Sequence, residues 1–325
     1  MDPLHPEHSQ SPLWMVTEEP SLHELVQALD TARARILAAP SAPLTLRFSR
    51  ERLREVRKAF ARMIRSGEAR LHRLSDVLCQ SLLLTPYGLK SVVVGEIEGT
   101  RERFTLSHSL APPELYAHTD LDLGTRLLQR LRIRDGMAWH RSDLIANYVE
   151  YLPLQLSAVG VHKLITRIKA EEEIWNKVVD EIFDIDALVQ RDKQLRHLSR
   201  YVKDVFGIKL VTKGPKASAR LQRQLQALRF DDAVLRAGEI PADETTRSLR
   251  FVEVKDYLGA DGQKGSGWQA MKSVVSWWGG LFEIQIQPLA VYHREQEHLT
   301  RESHTGFKAQ RDQLRNQIAA MVPLF

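Results

Sequence analysis

The first part of the chain has hydrophobic positions at helical spacing in two segments. Ser21 and Glu24 form a capping-box pattern ahead of an amphipathic segment that runs to about residue 38. From Ser49 to about residue 74, apolar residues recur every three or four positions, and the opposite faces are rich in Arg and Lys. We therefore expect two helices, the second of which has a basic exposed side.

Alternation with a period of two follows these helices. The segments SVVVGEIEG and RERFTLSHSL alternate apolar and polar residues around Gly99 and Thr100, a combination that is typical of a β-hairpin. Pro112 and Pro113 then precede a further helical segment, residues 114–131.

The pattern changes near residue 155. Gly279 and Gly280 join two alternating segments and can take the positive φ values that a hairpin turn requires. The predicted strands are residues 205–212, 249–254, 268–277 and 281–287, and the predicted helices are residues 161–183, residues 219–228 and most of the chain after Pro288.

Strands interspersed with helices, with antiparallel hairpins, predict an α+β (mixed) fold in which a mixed β-sheet is flanked by helices. We divide the chain into a flexible tail (1–20), a smaller α/β N-terminal accessory domain of unknown role (21–150) and a second domain with C-terminal helices (151–325).

Composition and charge narrow the class of protein. The chain is 43% hydrophobic and 27% charged, as globular proteins are, and it has no long uncharged apolar run and no secretory leader pattern. We expect a soluble cytoplasmic protein with no membrane partner. The single cysteine, Cys79, excludes an internal disulfide, and the net charge of +5 mildly favours anionic partners.

The segment LFEIQIQ combines two kinds of side chain. Alternation places Phe282, Ile284 and Ile286 on one face of the strand and leaves the other face polar, with Glu283, Gln285 and Gln287. Upstream, Lys255-Asp256-Tyr257 ends the preceding strand. A glycine-punctuated loop then presents Lys264 and Trp268, whose setting favours an exposed ring. One face of this strand is expected to pack, and the other is available for chemistry.

These blocks resemble the synthetase domain of the RelA/SpoT family of nucleotide pyrophosphokinases, in its small form with a single synthetase domain. The family's motifs are R-x-K-x-x-x-S-I-x-x-K, D-x-x-G-I-R, K-D-Y-I, P-K-x-N-G-Y-Q-S-L-H-T, E-V-Q-I-R-T and M-H-x-x-A-E. The corresponding residues, in the family's order, are Arg167, Lys169, Ile174 and Lys177; Asp204 to Lys209; Lys255 to Leu258; Lys264 to Lys272; Glu283 to Pro288; and His293 with Glu297.

The resemblance implies a nucleotidyltransferase-like synthetase domain that transfers pyrophosphate from ATP to the ribose 3′-hydroxyl of GDP or GTP. The products are a (p)ppGpp-type alarmone and AMP, and the cofactor is Mg²⁺. The implied site residues are Glu283 and Asp204 for catalysis and metal binding; Arg167, Lys169, Lys177 and Lys209 for ATP; and Lys255, Lys264, Trp268, Gln285 and His293 for the acceptor.

The chain also departs from the family's pattern near the acceptor. Lys272 replaces His, Gln287-Pro288 replaces Arg-Thr, and Ser266 replaces Asn. The acceptor therefore stays open between a guanine nucleotide, an adenine nucleotide and the 3′ end of tRNA, as in toxin-like relatives. A third interpretation is a catalytically inactive nucleotide- or RNA-binding module. The N-terminal domain or the C-terminal helix, which ends in MVPLF, is a candidate surface for homo-oligomerisation or for a regulatory or antitoxin partner.

Overall fold

The computed structural model describes residues 19–38, 49–98, 100, 102–135, 138–155, 157–168, 205–259 and 268–299. These residues fall into two compact units. The first unit holds residues 19–38, 49–67 and 205, and the second holds the other described residues. The polar strand that is predicted to carry the chemistry lies in the second unit.

The first unit contains helix α1, Pro20–Ala38, and the beginning of helix α2, Arg50–Leu78. Ser49 precedes α2, and its hydroxyl oxygen accepts a hydrogen bond from the backbone N–H of Arg52 at 3.1 Å, which satisfies one donor of the first turn. Both helices form where the sequence predicts them, but α1 begins at Pro20, so Ser21 lies inside the helix and is not its cap. The buried residues of α1 recur at helical spacing: Leu22, Leu25, Val26 and Leu29.

Helix α2 continues into the second unit and ends in a π-helical turn, Cys79–Leu83. The next residue, Leu84, has a φ of 51°, so the chain leaves the helix through the left-handed region. An antiparallel hairpin follows, formed by strand β1, Tyr87–Ile97, and strand β2, Arg103–Leu110. The predicted hairpin is confirmed.

Two short helices follow the hairpin where the sequence predicts one helical segment. They are α3, Pro112–Ala117, and α4, Asp120–Gln129. Thr119 separates them in an extended conformation, and its hydroxyl oxygen accepts a hydrogen bond from the backbone N–H of Asp122 at 3.0 Å. The predicted helix over residues 114–131 is therefore interrupted, because Thr119 caps a new helix instead of continuing the first.

Three strands that the sequence analysis does not predict come next: β3, Ile133–Asp135, β4, Ala138–His140, and β5, Ser142–Pro153. Strands β3 and β4 pair with each other, and β5 pairs with β1. Strand β5 runs through residues 150 and 151, where the sequence analysis divides the chain, so one sheet includes strands from both predicted domains. The role of the N-terminal part stays a prediction.

Residues 161–168 form strand β6, Val161–Ile168, so the helix predicted over residues 161–183 is wrong in this part. Half of the strand's eight residues are β-branched, and β6 pairs with the following strand, β7 (Phe206–Thr212), along its whole length. Cross-strand pairing overrides the helical periodicity here. Arg167, which was expected at a helix start, therefore lies in a strand, and residues 169–183 lie outside the described residues.

The remaining elements follow the predicted order with one short helix, α6, added. The turn between the last two strands uses Trp278 and Gly279, whose φ values are 47° and 69°, so it begins one residue earlier than the predicted glycine pair. These elements are β7; α5, Pro215–Ala227; α6, Asp232–Ala237; β8, Arg250–Asp256; β9, Met271–Trp277; β10, Gly280–Pro288; and α7, Leu289–Leu299.

Eight strands of the described chain form one sheet in the order β2-β1-β5-β6-β7-β10-β9-β8. Strands β7 and β10 are parallel, and the other neighbouring pairs are antiparallel. Helix α5 packs on β7, β9 and β10, and Gln222 of α5 lies 3.1 Å from Ser273 of β9. This confirms the predicted mixed α+β fold, a mixed sheet flanked by helices.

Among the helices that the structure describes, none has the length and apolar character needed to cross a membrane.

Candidate functional site

Strand β10 lies inside the sheet and presents two chemically different faces. Phe282, Ile284 and Ile286 are buried on the face that α5 covers. Glu283 and Gln287 alternate with them on the other face and are also buried, Glu283 with 8% exposure and Gln287 with none. The predicted alternation is confirmed, but the polar face is more enclosed than that of an ordinary solvated strand.

The register of the sheet aligns polar residues from four neighbouring strands. Lys209 of β7 pairs with Gln285 of β10, Gln285 pairs with Lys272 of β9, and Lys272 pairs with Lys255 of β8. Residues paired in register project from the same face of a sheet. Lys209, Gln285, Lys272 and Lys255 therefore form a row across the face that carries Glu283.

The carboxylate of Glu283 is held by two side chains of this row. Its Oε2 lies 2.5 Å from Nζ of Lys272, and its Oε1 accepts a hydrogen bond from Nε2 of Gln285 at 3.1 Å. The Oε2 atom is buried, and no donor in the described part of the chain reaches it with hydrogen-bond geometry. The ion pair with Lys272 therefore compensates a carboxylate that is largely removed from water.

Helix α7 contributes a second carboxylate to the same face. Oε2 of Glu295 lies 2.6 Å from Nζ of Lys209, and its Oε1 accepts a hydrogen bond from the indole N–H of Trp268 at 2.5 Å. The ring of Trp268 also packs against Tyr257, with 5.4 Å between centroids. Trp268 is thus half-buried, not exposed as expected. We call Glu283, Gln285, Lys272, Lys209, Glu295 and Trp268 the strand cluster.

Tyr292 fixes helix α7 on this face of the sheet. It packs with Ile165 and Val211, and its ring lies 5.8 Å from the ammonium of Lys209. Burial, together with the neighbouring Tyr148 and Glu150, raises the pKa of Tyr292, so its phenol stays neutral. Lys209 therefore lies between an aromatic ring and a carboxylate of the same helix.

Gly207 leaves the sheet face bare between two predicted site residues. It pairs with Arg167 of β6 on one side and with Glu283 on the other. A Cβ added at Gly207 would meet no atom closer than 3.7 Å. Since neighbouring strands lie about 4.8 Å apart, the backbones of Arg167 and Glu283 are separated by roughly 10 Å. A cation and a carboxylate thus flank a strip of bare backbone.

The other predicted site residues in the described chain lie around this cluster. Arg167 is exposed on β6, and Lys255 is exposed on β8, with its ammonium 2.6 Å from Glu253. His293 is exposed on α7, and its imidazole ring lies 5.8 Å from the ring of Tyr292, measured between centroids. Of the predicted site residues, Glu283 thus contacts Gln285, and Lys209 and Trp268 share the carboxylate of Glu295. Arg167, Lys255 and His293 lie at the edge of the strand cluster.

Four predicted site residues lie outside the described residues: Asp204, Lys169, Lys177 and Lys264. The pairing of Asp204 with Glu283 around a metal, and the ATP and acceptor contacts of the three lysines, stay predictions.

Two members of the strand cluster were not among the predicted site residues. Lys272 departs from the family's motif, and its position inside the apolar run MKSVVSW could have indicated a site residue, because a charged side chain is rarely buried without a partner. Glu295 follows Tyr292 by three residues, so the two share a helical face. The predicted match in this helix was Glu297.

No family model and no curated protein matches this chain. The solved structures that resemble it include small alarmone synthetases. Two of these are structures of small alarmone synthetase 1 from Bacillus subtilis, one of them bound to its product pppGpp. Each is 17% identical over 51% of this chain, which corresponds to 74% and 75% of those chains, with TM-scores of 0.27 and 0.26.

Proposed function

We propose that the strand cluster is the active site of a nucleotide pyrophosphokinase that transfers pyrophosphate from ATP to the ribose 3′-hydroxyl of GDP or GTP. The observation that carries this proposal is the buried carboxylate of Glu283, set between aligned cations on one sheet face. The order of the RelA/SpoT-like motifs along the chain supports the same reaction.

The cations provide the donor side of the site. A triphosphate carries several negative charges and binds where Lys and Arg side chains remain charged at neutral pH. Arg167 of β6 pairs with Gly207 of β7, and Lys209 lies two residues further along β7 on the same face of the sheet. Arg167 and Lys209 bind the phosphates of ATP together with Lys169 and Lys177.

Glu283 acts on the acceptor hydroxyl. The 3′-oxygen attacks the β-phosphorus of ATP, the bond from that phosphorus to the oxygen bridging the α-phosphate breaks, and AMP leaves with that oxygen. The proton of the hydroxyl passes to the carboxylate of Glu283, which must lie within hydrogen-bond reach of it. Gln285 holds this carboxylate in place through a hydrogen bond to Oε1.

Glu283 also fits a Mg²⁺ ligand, because its buried carboxylate is held through Oε2 by the exchangeable ion pair with Lys272. Together with Asp204 it would hold the ion, which when bound shields the charge of the phosphate oxygens. Lys272 contacts the same Oε2, so the ammonium has to move aside when the ion binds there.

Trp268 and Lys255 form the acceptor side, with Lys264, Gln285 and His293. Trp268 and Tyr257 together offer aromatic surface for a base, and stacking on such rings contributes about 1–3 kcal/mol per base. Stacking does not distinguish one purine from another, so the acceptor has to be identified by its product.

The test is product formation by the full chain from γ-labelled ATP, Mg²⁺ and GDP or GTP. We expect labelled guanosine tetra- or pentaphosphate, and we expect Glu283→Gln to lower the rate by at least about 10³-fold. Glu150→Gln is the matched control. Glu150 is as buried as Glu283, at 8%, and likewise pairs with a lysine, Lys163, at 2.7 Å, but its strand, β5, lies three strands from β10. No product with any acceptor, or equal rates for the two variants, would exclude the proposal.

A second acceptor, the 3′ end of tRNA, is favoured by the exposed basic residues of helix α2. Arg54, Arg57, Lys58 and Arg65 are all exposed on this helix, and phosphate contacts by such residues dominate nucleic-acid binding. Label on tRNA rather than on a free nucleotide, with loss of aminoacylation, would identify this acceptor. Tight nucleotide binding without transfer would instead identify a binding module.

A further inference from the structure

A second group of polar side chains is buried in the second unit, away from β10. Glu68 and His72 lie one turn apart on the last part of helix α2, and Asp120 is the first residue of helix α4. Their exposed fractions are 4%, 1% and 4%. We call Glu68, His72 and Asp120 the buried triad. Neither the motifs of the sequence nor the proposed function uses it.

The triad brings one imidazole nitrogen and two carboxylates to a common point. Nε2 of His72 lies 3.1 Å from Oδ1 of Asp120 and 3.9 Å from Oε1 of Glu68. The three donor atoms all lie within 4.8 Å of one another. A zinc ion with bonds of roughly 2.0–2.2 Å keeps its ligand atoms within about 4.4 Å of each other, so the two measured pairs already fit.

An unpaired buried oxygen gives an independent sign that the triad holds a ligand. Oδ2 of Asp120 is buried and has no hydrogen-bond partner among the residues that the structure describes. It belongs to the carboxylate whose Oδ1 faces His72, so it borders the same point. An unsatisfied carboxylate oxygen in a buried site is costly, and a bound cation is one partner that removes this cost.

The surroundings of His72 are those of a metal ligand. Its Nδ1 lies 3.1 Å from the hydroxyl of Tyr151, which is fully buried. With Nε2 bound to an ion, Nδ1 carries the hydrogen and donates it to Tyr151, the arrangement that usually fixes a metal-bound imidazole. The Glu68 and His72 spacing of four residues also places both side chains on one helical face, as in helical zinc motifs.

From this geometry we propose that Glu68, His72 and Asp120 bind a divalent first-row transition metal, Zn²⁺ or Mn²⁺, at a structural site separate from the strand cluster. One imidazole and two carboxylates suit these ions, whereas Mg²⁺ prefers oxygen ligands and water. Two carboxylates also balance the charge of a divalent ion.

The competing account is an imidazolium held by the two carboxylates without any ion. Burial acts to lower the pKa of His72, but Asp120 and then Glu68 outweigh it and raise that pKa to about 10. This account explains the contact with Asp120 but leaves Oδ2 of Asp120 unpaired. It predicts that the folded chain binds no transition metal, which makes the two accounts separable.

The test uses the full chain without any nucleotide, purified without a chelator and analysed for bound metals by mass spectrometry. After chelation, Zn²⁺, Mn²⁺ and Mg²⁺ are added in separate titrations, followed by calorimetry and by the melting temperature. We expect about one Zn²⁺ or Mn²⁺ per chain, a melting temperature that rises with the ion, and binding of Mg²⁺ at least about 100-fold weaker.

Near-isosteric variants locate the site. Glu68→Gln and Asp120→Asn should weaken binding at least about 100-fold while circular dichroism shows a folded chain. Asp76→Asn is the matched control, because Asp76 is a nearby acid that accepts hydrogen bonds from Tyr87 and Tyr116 and is not in the triad. Glu283→Gln should also leave the ion bound. The metal site and the proposed pyrophosphate transfer are therefore tested independently of each other.

Cobalt spectroscopy of the unmodified chain keeps the test decisive if a variant does not fold. Bound Co²⁺ should show the visible bands of a low-coordinate site with one nitrogen and two oxygen ligands. A folded chain that takes up no Zn²⁺ or Mn²⁺, or variants of Glu68 and Asp120 that bind like the unmodified chain, would overturn the proposal.

Discussion

The strand cluster and the buried triad both place carboxylates beside basic side chains in the same unit, but they are built in different ways. The strand cluster follows from the register of four neighbouring strands, and its lysines keep 24–31% of their side-chain surface. The triad joins the last part of helix α2 to the start of helix α4, and its side chains keep 1–6% of their surface. Partially exposed ion pairs can exchange partners with a ligand, whereas removing one partner from a buried group leaves an uncompensated charge and is strongly destabilising.

The largest expected effect is on stability, at the triad. His72→Ala removes the only basic group of the triad and leaves Glu68 and Asp120 buried together, so we expect a loss of about 3–5 kcal/mol in the free energy of unfolding. Denaturant unfolding measures it. His162→Ala, at an exposed position of β6, is the control and should change stability by less than about 0.5 kcal/mol. Equal effects of the two variants would contradict the difference drawn between the clusters.

The two clusters also differ in how far the sequence predicts them. Period-two alternation identifies the polar face of β10, and the hairpin that β10 forms with β9 follows from its turn residues. The triad has only its four-residue spacing between Glu68 and His72 as a local signal. Asp120 lies 48 residues after His72, and only the packing of α4 brings it there. Contacts between elements distant in sequence have no local pattern.

Strand β6 shows the same limit within the fold. The helical spacing of apolar residues 174–182 predicts a helix that includes residues 161–168. Those residues form a strand instead, because they are rich in β-branched side chains and pair with β7. The row of Lys209, Gln285 and Lys272 was likewise not predicted, because strand order and register are set by tertiary pairing. Single residues with unusual chemistry were easier to find than the partners they take.

The strand cluster should show a large effect on binding with a small one on stability. Lys209→Met keeps the length of the side chain but removes a phosphate-binding charge, so we expect the dissociation constant for ATP to rise by about 30- to 100-fold. Equilibrium dialysis with labelled ATP measures this. Lys213→Met, at an exposed lysine just beyond β7, is the control. Unchanged binding by Lys209→Met would remove this residue from the donor side.

Gly207→Ala sharpens the comparison because it adds a single methyl group to the site face. An added Cβ meets only ordinary contacts, at 3.7 Å or more, so we expect stability to change by less than about 1 kcal/mol. The methyl group projects between Arg167 and Glu283, and we expect it to weaken ATP binding by about tenfold through lost close approach. Gly214→Ala, where an added Cβ meets nothing within 4 Å, should do neither.

The smallest expected effect has the opposite sign. Glu295→Gln keeps the shape of the side chain that contacts Lys209 and Trp268 but removes its charge. We expect ATP to bind about three- to fivefold more tightly, because a neutral amide competes less well for the ammonium of Lys209. We also expect a loss of less than about 1 kcal/mol in stability, as is usual for a partly exposed ion pair. Calorimetric titration with ATP, alongside denaturant unfolding, measures both.

The direction in which ATP affinity changes in Glu295→Gln shows whether Glu295 competes with ATP for Lys209 or helps to position the ATP-binding residues. If Glu295 merely occupies Lys209 until ATP arrives, its neutralisation strengthens binding; if it orients Lys209 and Trp268 for the nucleotide, binding becomes weaker. Glu244→Gln, at an exposed loop position, makes the same change in net charge and excludes a general electrostatic effect. If Glu295→Gln weakens ATP binding and Glu244→Gln does not, Glu295 holds Lys209 and Trp268 in the positions that the nucleotide needs, and the strand cluster is a preorganised site.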